Sequence, residues 1–410
     1  MFRYRASYIS VVLSTVLLTL ARACINLIIS YKFLLETAHG FQYGVLIAVQ
    51  IIASSFFAPK LVHLLDRLER PSTPLLLFYF LSAVLYGLMA QYSSFNSFVC
   101  FTFASTLLIA LESAILYKLV PMVFREKEIK GFNVWAEQAT ALSFLLSALL
   151  VPFTVYFIKS YEYFFIVAGI LQIIIGFIVY RIFYPIRIPL EQRQIAKKTT
   201  MTSAYRLIFA DRGVRHFFFT SNFYLFAFSA TAFSLAMIAK NVVGNNIYLY
   251  SFPIIAMFSG RILALFFLKR YLSSSLENIF TAGCFISAVF MFPLGLVNHV
   301  YFLSGLEFFL GVGIALAKFS ERSFYQLQME TIDLSKMSVV RNFATIFNKS
   351  ISVPFVLLLT YYGNSALVSA CLAAFYLTAG IIMFQGQKGS HERSMNQEVS
   401  SLTTNQFTAR

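Results

Sequence analysis

Four charged side chains lie deep within long apolar stretches of the sequence, namely Arg22, Glu112, Glu307 and Lys349. An ionised group in apolar surroundings costs several kcal/mol unless it is paired or hydrated. We therefore expect Arg22 to pair with Glu112, and Glu307 to pair with Lys349. A carboxylate whose pairing changes with conformation can bind and release a proton, which would couple protons to that movement. The simpler alternative is two static ion pairs that fix the register of the helices.

Uncharged polar side chains lie near these charges along the chain, and they are Asn26, Ser221, Asn222 and Asn348. The residues that we expect to line the path of a substrate or an ion are the four charges together with Asn26, Ser221 and Asn222.

A second group of charged residues lies closer to the ends of the apolar stretches. It contains Glu137, Lys318, Glu321 and Arg322. Long side chains near the end of a span can extend to water along an apolar surface. We therefore expect these residues to be solvated and to have a structural use only.

Other kinds of chemistry find no support in the sequence. The four cysteines lie far apart inside apolar stretches, and no cysteine or histidine has metal-ligand spacing. The phosphate-binding pattern G-x-x-x-x-G-K-[ST] is absent. The scattered Glu and His residues do not supply the paired catalytic groups that an enzyme needs. We therefore expect no enzyme activity, no metal and no cofactor.

The elements that position these residues are membrane-spanning helices. Hydrophobic residues make up 59% of the 410 residues and charged residues only 12%, with a mean hydropathy of +0.75. One water-soluble core could not bury so many apolar side chains. Apolar runs of about 20 residues predict an all-α polytopic membrane protein with about 12 transmembrane helices in two six-helix halves. The predicted spans are 8–31, 43–65, 73–92, 97–120, 133–157, 162–183, 216–239, 247–268, 275–296, 299–319, 338–361 and 364–385.

Basic residues are concentrated in alternate loops. One set of loops carries Arg3 and Arg5, Arg67 and Arg70, Arg125 to Lys130, and Lys269 and Arg270, whereas the opposite set carries Lys32, Lys159 and Lys240. The excess of Lys and Arg in cytoplasmic loops predicts that both termini lie in the cytoplasm. The predicted location is the plasma (inner) membrane. Topology thus explains most of the formal charge of +15, and we expect no nucleic-acid binding.

The chain divides into an N-terminal six-helix half (1–184), a basic cytoplasmic connector (185–215), a C-terminal six-helix half (216–385) and a polar tail (386–410) that we expect to be disordered. A weak repeat supports the two halves. Asn133 opens the fifth span, and Asn342 opens the eleventh after a similarly charged loop. Parallel repeats of six spans build one large class of secondary transporters.

The loop after the second span carries the most specific motif. It reads Val62-His-Leu-Leu-Asp66-Arg67-Leu-Glu69-Arg70-Pro71. This resembles the Gly-x-x-x-Asp-Arg-x-Gly-Arg-Arg loop of the major facilitator superfamily, with Asp66, Arg67 and Arg70 matching. The resemblance implies a gating motif in which Asp66 caps the eleventh span or pairs with Arg341. Topology alone explains the two arginines but not Asp66.

The same resemblance implies where a substrate passes. In the family, spans 1, 4, 7 and 10 line the central cavity, which is where Arg22, Glu112, Ser221, Asn222 and Glu307 fall. Leu119-Val-Pro121, followed by a loop that contains Glu126 and Glu128 and then by Asn133, resembles the branch that includes siderophore and macrolide exporters. In the fifth span, Val151-Pro152 stands where that family often has Gly-Pro, which weakens an inference specific to antiporters.

The sequence thus predicts a secondary active transporter that works by alternating access as a monomer. The predicted partners are the lipid bilayer, protons and a small-molecule substrate. Proton-coupled export of an amphipathic metabolite, siderophore or drug is preferred, on the branch resemblance. Nutrient uptake and the flipping of a lysophospholipid are the nearest alternatives. A membrane-embedded enzyme and a non-transporting receptor or scaffold are minor ones.

Overall fold

The computed structural model of the chain is helical throughout its described part and contains no strand there. The described residues are 19–25, 28, 40–65, 68–92, 94–123, 126–158, 162–188, 206, 208–244, 246–268, 274–328, 331–362 and 364–407. Of the predicted first span, the helical residues 19–25 and 28 are described.

The predicted second span is one bent helix with a π-helical turn inside it. Helices α1 (Gly40–Ile52) and α2 (Ala58–Leu65) are joined by the π turn Ala53–Phe57. The hydroxyl of Ser54 donates to the carbonyl oxygens of Gln50 and Ile51, at 2.9 and 3.2 Å. A π turn contains one residue more than an α-helical turn, and such turns are frequent at functional sites.

Ten further helices follow, one for each of the predicted spans 3 to 12. They are α3 (Ser72–Gln91), α4 (Phe95–Val123), α5 (Glu126–Ile158), α6 (Glu162–Phe183), α7 (Arg212–Val243), α8 (Ile247–Leu268), α9 (Leu276–Met291, continued by the 3-10 turn Phe292–Leu296), α10 (Val300–Gln328), α11 (Thr331–Tyr362) and α12 (Ser365–Phe407). Within the described residues, these ten are long and apolar enough to cross a membrane. The all-helical, multi-span fold class is therefore confirmed.

Several helices extend beyond the apolar runs at the end of the bundle that the loop charges predict to be cytoplasmic. Helix α5 begins at Glu126, α10 continues to Gln328 and α11 begins at Thr331. Helix α12 likewise continues to Phe407, whereas the sequence predicts a disordered tail from residue 386. The polar tail contains no proline to end the helix.

The second half contains unusually close contacts between helix backbones. A Cβ atom added at Gly260 of α8 would lie 1.9 Å from the carbonyl oxygen of Phe308 in α10, and one added at Gly311 would lie 2.0 Å from that of Met257. Only glycine allows two helix backbones to approach in this way. Helices α8 and α10 therefore pack as one unit.

Helices of the two halves meet along two seams. In one seam α5 packs against α8 and α10, and in the other α11 packs against α1, α2 and α4. The rings of Phe144 in α5 and Phe258 in α8 are stacked with centroids 4.7 Å apart. Tyr117 and Val134 of the first half belong to the same hydrophobic core as the buried residues of the second half.

Candidate functional site

The predicted pair of Arg22 and Glu112 is present. The guanidinium of Arg22 donates to Oε2 of Glu112, and both side chains are largely buried. The hydroxyl of Tyr79 in α3 donates to the other carboxylate oxygen, Oε1, at 2.9 Å. The carboxylate therefore has a partner on each oxygen, as a buried charge requires. Sequence reasoning missed Tyr79, because its spacing in α3 does not distinguish it from other core aromatic residues.

The predicted pair of Glu307 and Lys349 is not formed. Lys349 Nζ donates to Oε1 of Gln50 in α1 at 3.3 Å. Glu307 is 1% exposed, and its Oε1 has no hydrogen-bond partner among the residues that are described. The two residues lie at different depths. At 1.5 Å per residue, Glu307 is about 10 Å from the start of α10, and Lys349 is about 20 Å from the end of α11 at the same face.

The polar residues of α7 form two separate contacts. The amide of Asn348 in α11 donates to Oδ1 of Asn222 at 3.0 Å. Ser221 is buried instead against α10, with its hydroxyl 3.3 Å from that of Tyr325. Ser221 therefore contributes to packing within the second half. Asn26 lies outside the described residues.

The predicted gating motif is described only at its last residue, because Asp66 and Arg67 lie outside the described residues. Nη1 of Arg70 donates to the hydroxyl of Tyr184 at 2.9 Å. Arg341, one of the partners considered for Asp66, forms an ion pair with Glu321 of α10, with Nη2 3.0 Å from Oε2.

A buried ionic cluster joins the two halves at the predicted cytoplasmic end. The expectation of solvation is wrong for Glu137 and Glu321 and only partly right for Lys318 and Arg322, whose side chains are 31% and 26% exposed. Glu137 of α5 faces three cations of the second half, which are Arg261 at 3.5 Å, Lys318 at 3.9 Å and Arg322 at 3.8 Å. Glu137, Arg261 and Glu321 are almost completely buried. They are buried because α5, α8 and α10 pack against one another at this end.

Tyr117 and Asn133 form further hydrogen bonds around this cluster. The hydroxyl of Tyr117 in α4 accepts from Arg341 at 3.4 Å and donates to the carbonyl oxygen of Arg322 at 3.2 Å. The amide of Asn133 donates to Ser323 at 3.1 Å and to Gln326 at 2.6 Å. Each bond crosses between the halves. The sequence did contain a signal for the cluster, since spans from opposite halves carry opposite charges at similar depth.

The comparison with protein families decides what this helix bundle is. The family model described as Major Facilitator Superfamily matches residues 11–331, which is more than half of the chain. The chain belongs to the major facilitator superfamily. This member of the superfamily is therefore a multi-pass membrane transporter and not an enzyme.

Solved structures share the superfamily fold with this transporter. The human organic anion transporter MFSD10 (TETRAN) matches with a TM-score of 0.75 and 11% identity, covering 93% of this chain and 99% of that one. The E. coli fucose:proton symporter FucP matches with a TM-score of 0.67 and 14% identity, covering 93% and 98%. A bacterial homologue of the iron transporter ferroportin matches with 0.67 and 12% identity, covering 92% and 98%. No curated protein matches by sequence. At these identities the likeness establishes the fold alone.

Proposed function

We propose that this transporter moves a small organic solute by alternating access and couples the movement to protons. The observation that carries the proposal is the buried ionic cluster around Glu137, which joins the halves at one end only of α5 and α10. A contact made of discrete charges can break and re-form as a unit, which suits an element with two stable arrangements. With this contact closed, we infer that the predicted cytoplasmic end is shut and the opposite end faces the substrate.

Two carboxyl groups in the spans support proton coupling. Glu307 is buried and has one oxygen without a partner in the described part of the chain. An ionised carboxylate in such surroundings is costly unless a partner or water reaches it, so proton binding there would depend on conformation. Glu112 has the cation Arg22 beside it, and a change of conformation that separates the two would leave the carboxyl group without its cation.

Export of an amphipathic metabolite, siderophore or drug is the preferred direction and cargo, and the branch resemblance at Leu119 to Pro121 supports it. Nutrient uptake is the second candidate, and the similarity of fold to the fucose:proton symporter favours it. Lysophospholipid flipping is a further alternative that would use the same two halves and the same charged residues. The predicted pathway residues are Arg22, Asn26, Glu112, Ser221, Asn222, Glu307 and Lys349, and that they line one shared pathway stays a prediction.

The test is transport by the purified protein in proteoliposomes with an imposed pH gradient. A panel of labelled siderophores, amphipathic drugs, sugars and lysophospholipids is offered, and uptake is measured with the gradient in each direction and without it. Export predicts that cargo moves against the direction of proton flow, whereas proton symport predicts movement with it. A rate that is the same in all three conditions would exclude proton coupling.

The carboxyl groups are tested with Glu112→Gln and Glu307→Gln, which remove a charge with little change in shape. We expect at least one of the two to lose the response to the pH gradient. Glu277→Gln is the matched control, because Glu277 lies in the first turn of α9 at the surface end of the bundle. If both variants respond to pH as the unaltered protein does, the coupling role is wrong.

A further inference from the structure

An apolar groove lies between α3 and α6 on the outer surface of the bundle, with a volume of about 410 Å³. Its lining residues are Thr73, Leu76, Leu77, Tyr79, Phe80, Ile173 and Phe177. Leu77 and Phe177 are 53% and 59% exposed. In a membrane-spanning bundle, an exposed apolar surface of this kind faces lipid acyl chains. The eight residues from Thr73 to Phe80 give the groove a length of about 10 Å along the helix axis.

The floor of the groove is the ring of Tyr79. Gly176 of α6 makes this possible, because a Cβ atom at that position would lie 2.8 Å from the Cβ of Tyr79. Tyr79 is 1% exposed, and its hydroxyl reaches through to Oε1 of Glu112. An occupant of the groove would therefore contact Tyr79, the side chain whose hydroxyl donates a hydrogen bond to Glu112 of the Arg22–Glu112 pair.

The rim of the groove at the predicted cytoplasmic end carries cations. Arg181 is exposed and lies one helical turn after Phe177 on the same face of α6. Arg70 lies three residues before Thr73, and its guanidinium is 4.9 Å from the centre of the Tyr184 ring. Within the described part of the chain, neither arginine has a carboxylate partner.

The rim also contains an acidic residue, Glu69. It lies 3.6 Å from Arg187, and both side chains are well exposed. Among the described residues its ion pair is with Arg187 and not with Arg70 or Arg181, so these two arginines remain available to an anion. Tyr184 has the amphipathic character that places tyrosine at the membrane–water interface.

We propose that this groove is a binding site for an anionic phospholipid of the leaflet on the predicted cytoplasmic side. Arg70 and Arg181 bind the phosphate, and one acyl chain lies in the groove against Tyr79. Basic residues between spanning helices on this side of a membrane are the usual site for anionic headgroups, and a guanidinium can donate two parallel hydrogen bonds to a phosphate. The lipid is a bound component of the transporter and need not be its cargo.

The test uses tryptophan fluorescence, because the chain contains a single tryptophan, Trp135. Full-length protein carrying Trp135→Phe and Leu77→Trp is reconstituted in vesicles of phosphatidylcholine and phosphatidylglycerol, with the acyl chains of either one brominated. Bromine quenches tryptophan on contact. At equal mole fractions we expect brominated phosphatidylglycerol to quench several times more effectively than brominated phosphatidylcholine.

The headgroup contact is tested by adding Arg70→Gln and Arg181→Gln to the same protein, which should bring the ratio of the two quenching efficiencies to about one. Arg212→Gln with Arg215→Gln is the matched control, since it removes the same charge from the start of α7, and should leave the ratio unchanged. Arg70→Lys with Arg181→Lys keeps the charge and should retain part of the preference even if the Gln variant folds poorly.

A second reporter, Ile170→Trp, lies on the exposed surface of α6 towards its other end. It should show no preference between the two lipids. Equal quenching of Leu77→Trp by the two lipids, or a preference that survives the Arg70 and Arg181 substitutions, would overturn the proposal.

Discussion

Glu137 of α5 and Arg261 of α8 form an ion pair across the boundary between the two halves, with 3.5 Å between Oε2 and Nη2 and with side chains only 4% and 5% exposed. Lys318 and Arg322 lie within 4 Å of the same carboxylate. One acidic side chain therefore holds three cations of the opposite half, and no other group of described residues joins the halves with so many charges.

Replacing Glu137 should open the contact between the halves. In Glu137→Gln the three cations repel one another with no anion between them, and removing one partner of a buried ion pair costs about 3–5 kcal/mol. Since about 1.4 kcal/mol corresponds to a tenfold change, the population of the open arrangement should rise at least tenfold.

The measurement is the labelling rate of Ser323→Cys by a membrane-impermeant thiol reagent, in protein whose four natural cysteines are replaced. Ser323 is fully buried beside Asn133, so its labelling reports opening. Glu277→Gln should leave the rate unchanged. A Glu137→Gln protein that is properly folded and labels at the original rate would show that the cluster does not hold the halves together.

The Arg22–Glu112 pair should show strong non-additivity. Arg22→Gln leaves an uncompensated buried carboxylate and Glu112→Gln an uncompensated buried guanidinium, so each should lower the stability of the protein by several kcal/mol. The double variant should be more stable than either, because a neutral pair can hydrogen-bond. Thermal unfolding of the three variants in detergent measures this, with Tyr79→Phe as a control that removes one hydrogen bond, a loss of about 1 kcal/mol. If the loss of stability in the double variant equals the sum of the losses in the two single variants, the two charges are separately hydrated.

The repeat supplies a matched test for Asn133. In the Ser323→Cys protein, whose Asn133–Ser323 bond is already altered, Asn133→Ala removes the bond to Gln326 and should raise the labelling rate. Asn342→Ala is the control, because Asn342 holds the corresponding place in the second half and makes no comparable bond in the described structure. Equal effects of the two substitutions would indicate that the asymmetry between them is not functional.

Two glycines of the second half should differ sharply in their tolerance of alanine. In Gly260→Ala the added methyl group would meet the backbone of Phe308, which cannot move aside as a side chain can, so overpacking should cost about 1–3 kcal/mol or more. Gly305→Ala, one turn away in α10, has open space around it and should stabilise the helix by about 0.5–1 kcal/mol. Unfolding temperatures of the two variants compare these costs, and similar temperatures would contradict the close approach of α8 and α10.

Much of the fold could be predicted from the sequence, because the thickness of the bilayer sets the length of an apolar run. Predicted spans such as 162–183 and 247–268 coincide with α6 and α8. The ends of α5 and α10 could not be placed in this way, because a helix continues past the bilayer wherever protein, rather than lipid, covers it.

The ion pairs of the candidate site could be predicted only where two opposite charges had no other possible partner. Arg22 and Glu112 are of that kind. Glu307 and Lys349 do not form such a pair, because Lys349 donates a hydrogen bond to the uncharged side chain of Gln50 instead. The expectation for Glu137 and Arg322 failed since it considered each helix alone, whereas their burial depends on how the halves pack, which no local pattern encodes.

The π turn Ala53–Phe57 sets the angular phase of the predicted second span. Gln50 lies just before the turn and accepts the hydrogen bond from Lys349 of the other half. Deleting one residue within the turn would convert it to an ordinary α-helix and rotate everything before it by about 100° relative to α2. Position 50 would then point away from α11, although every residue of the contact would still be present.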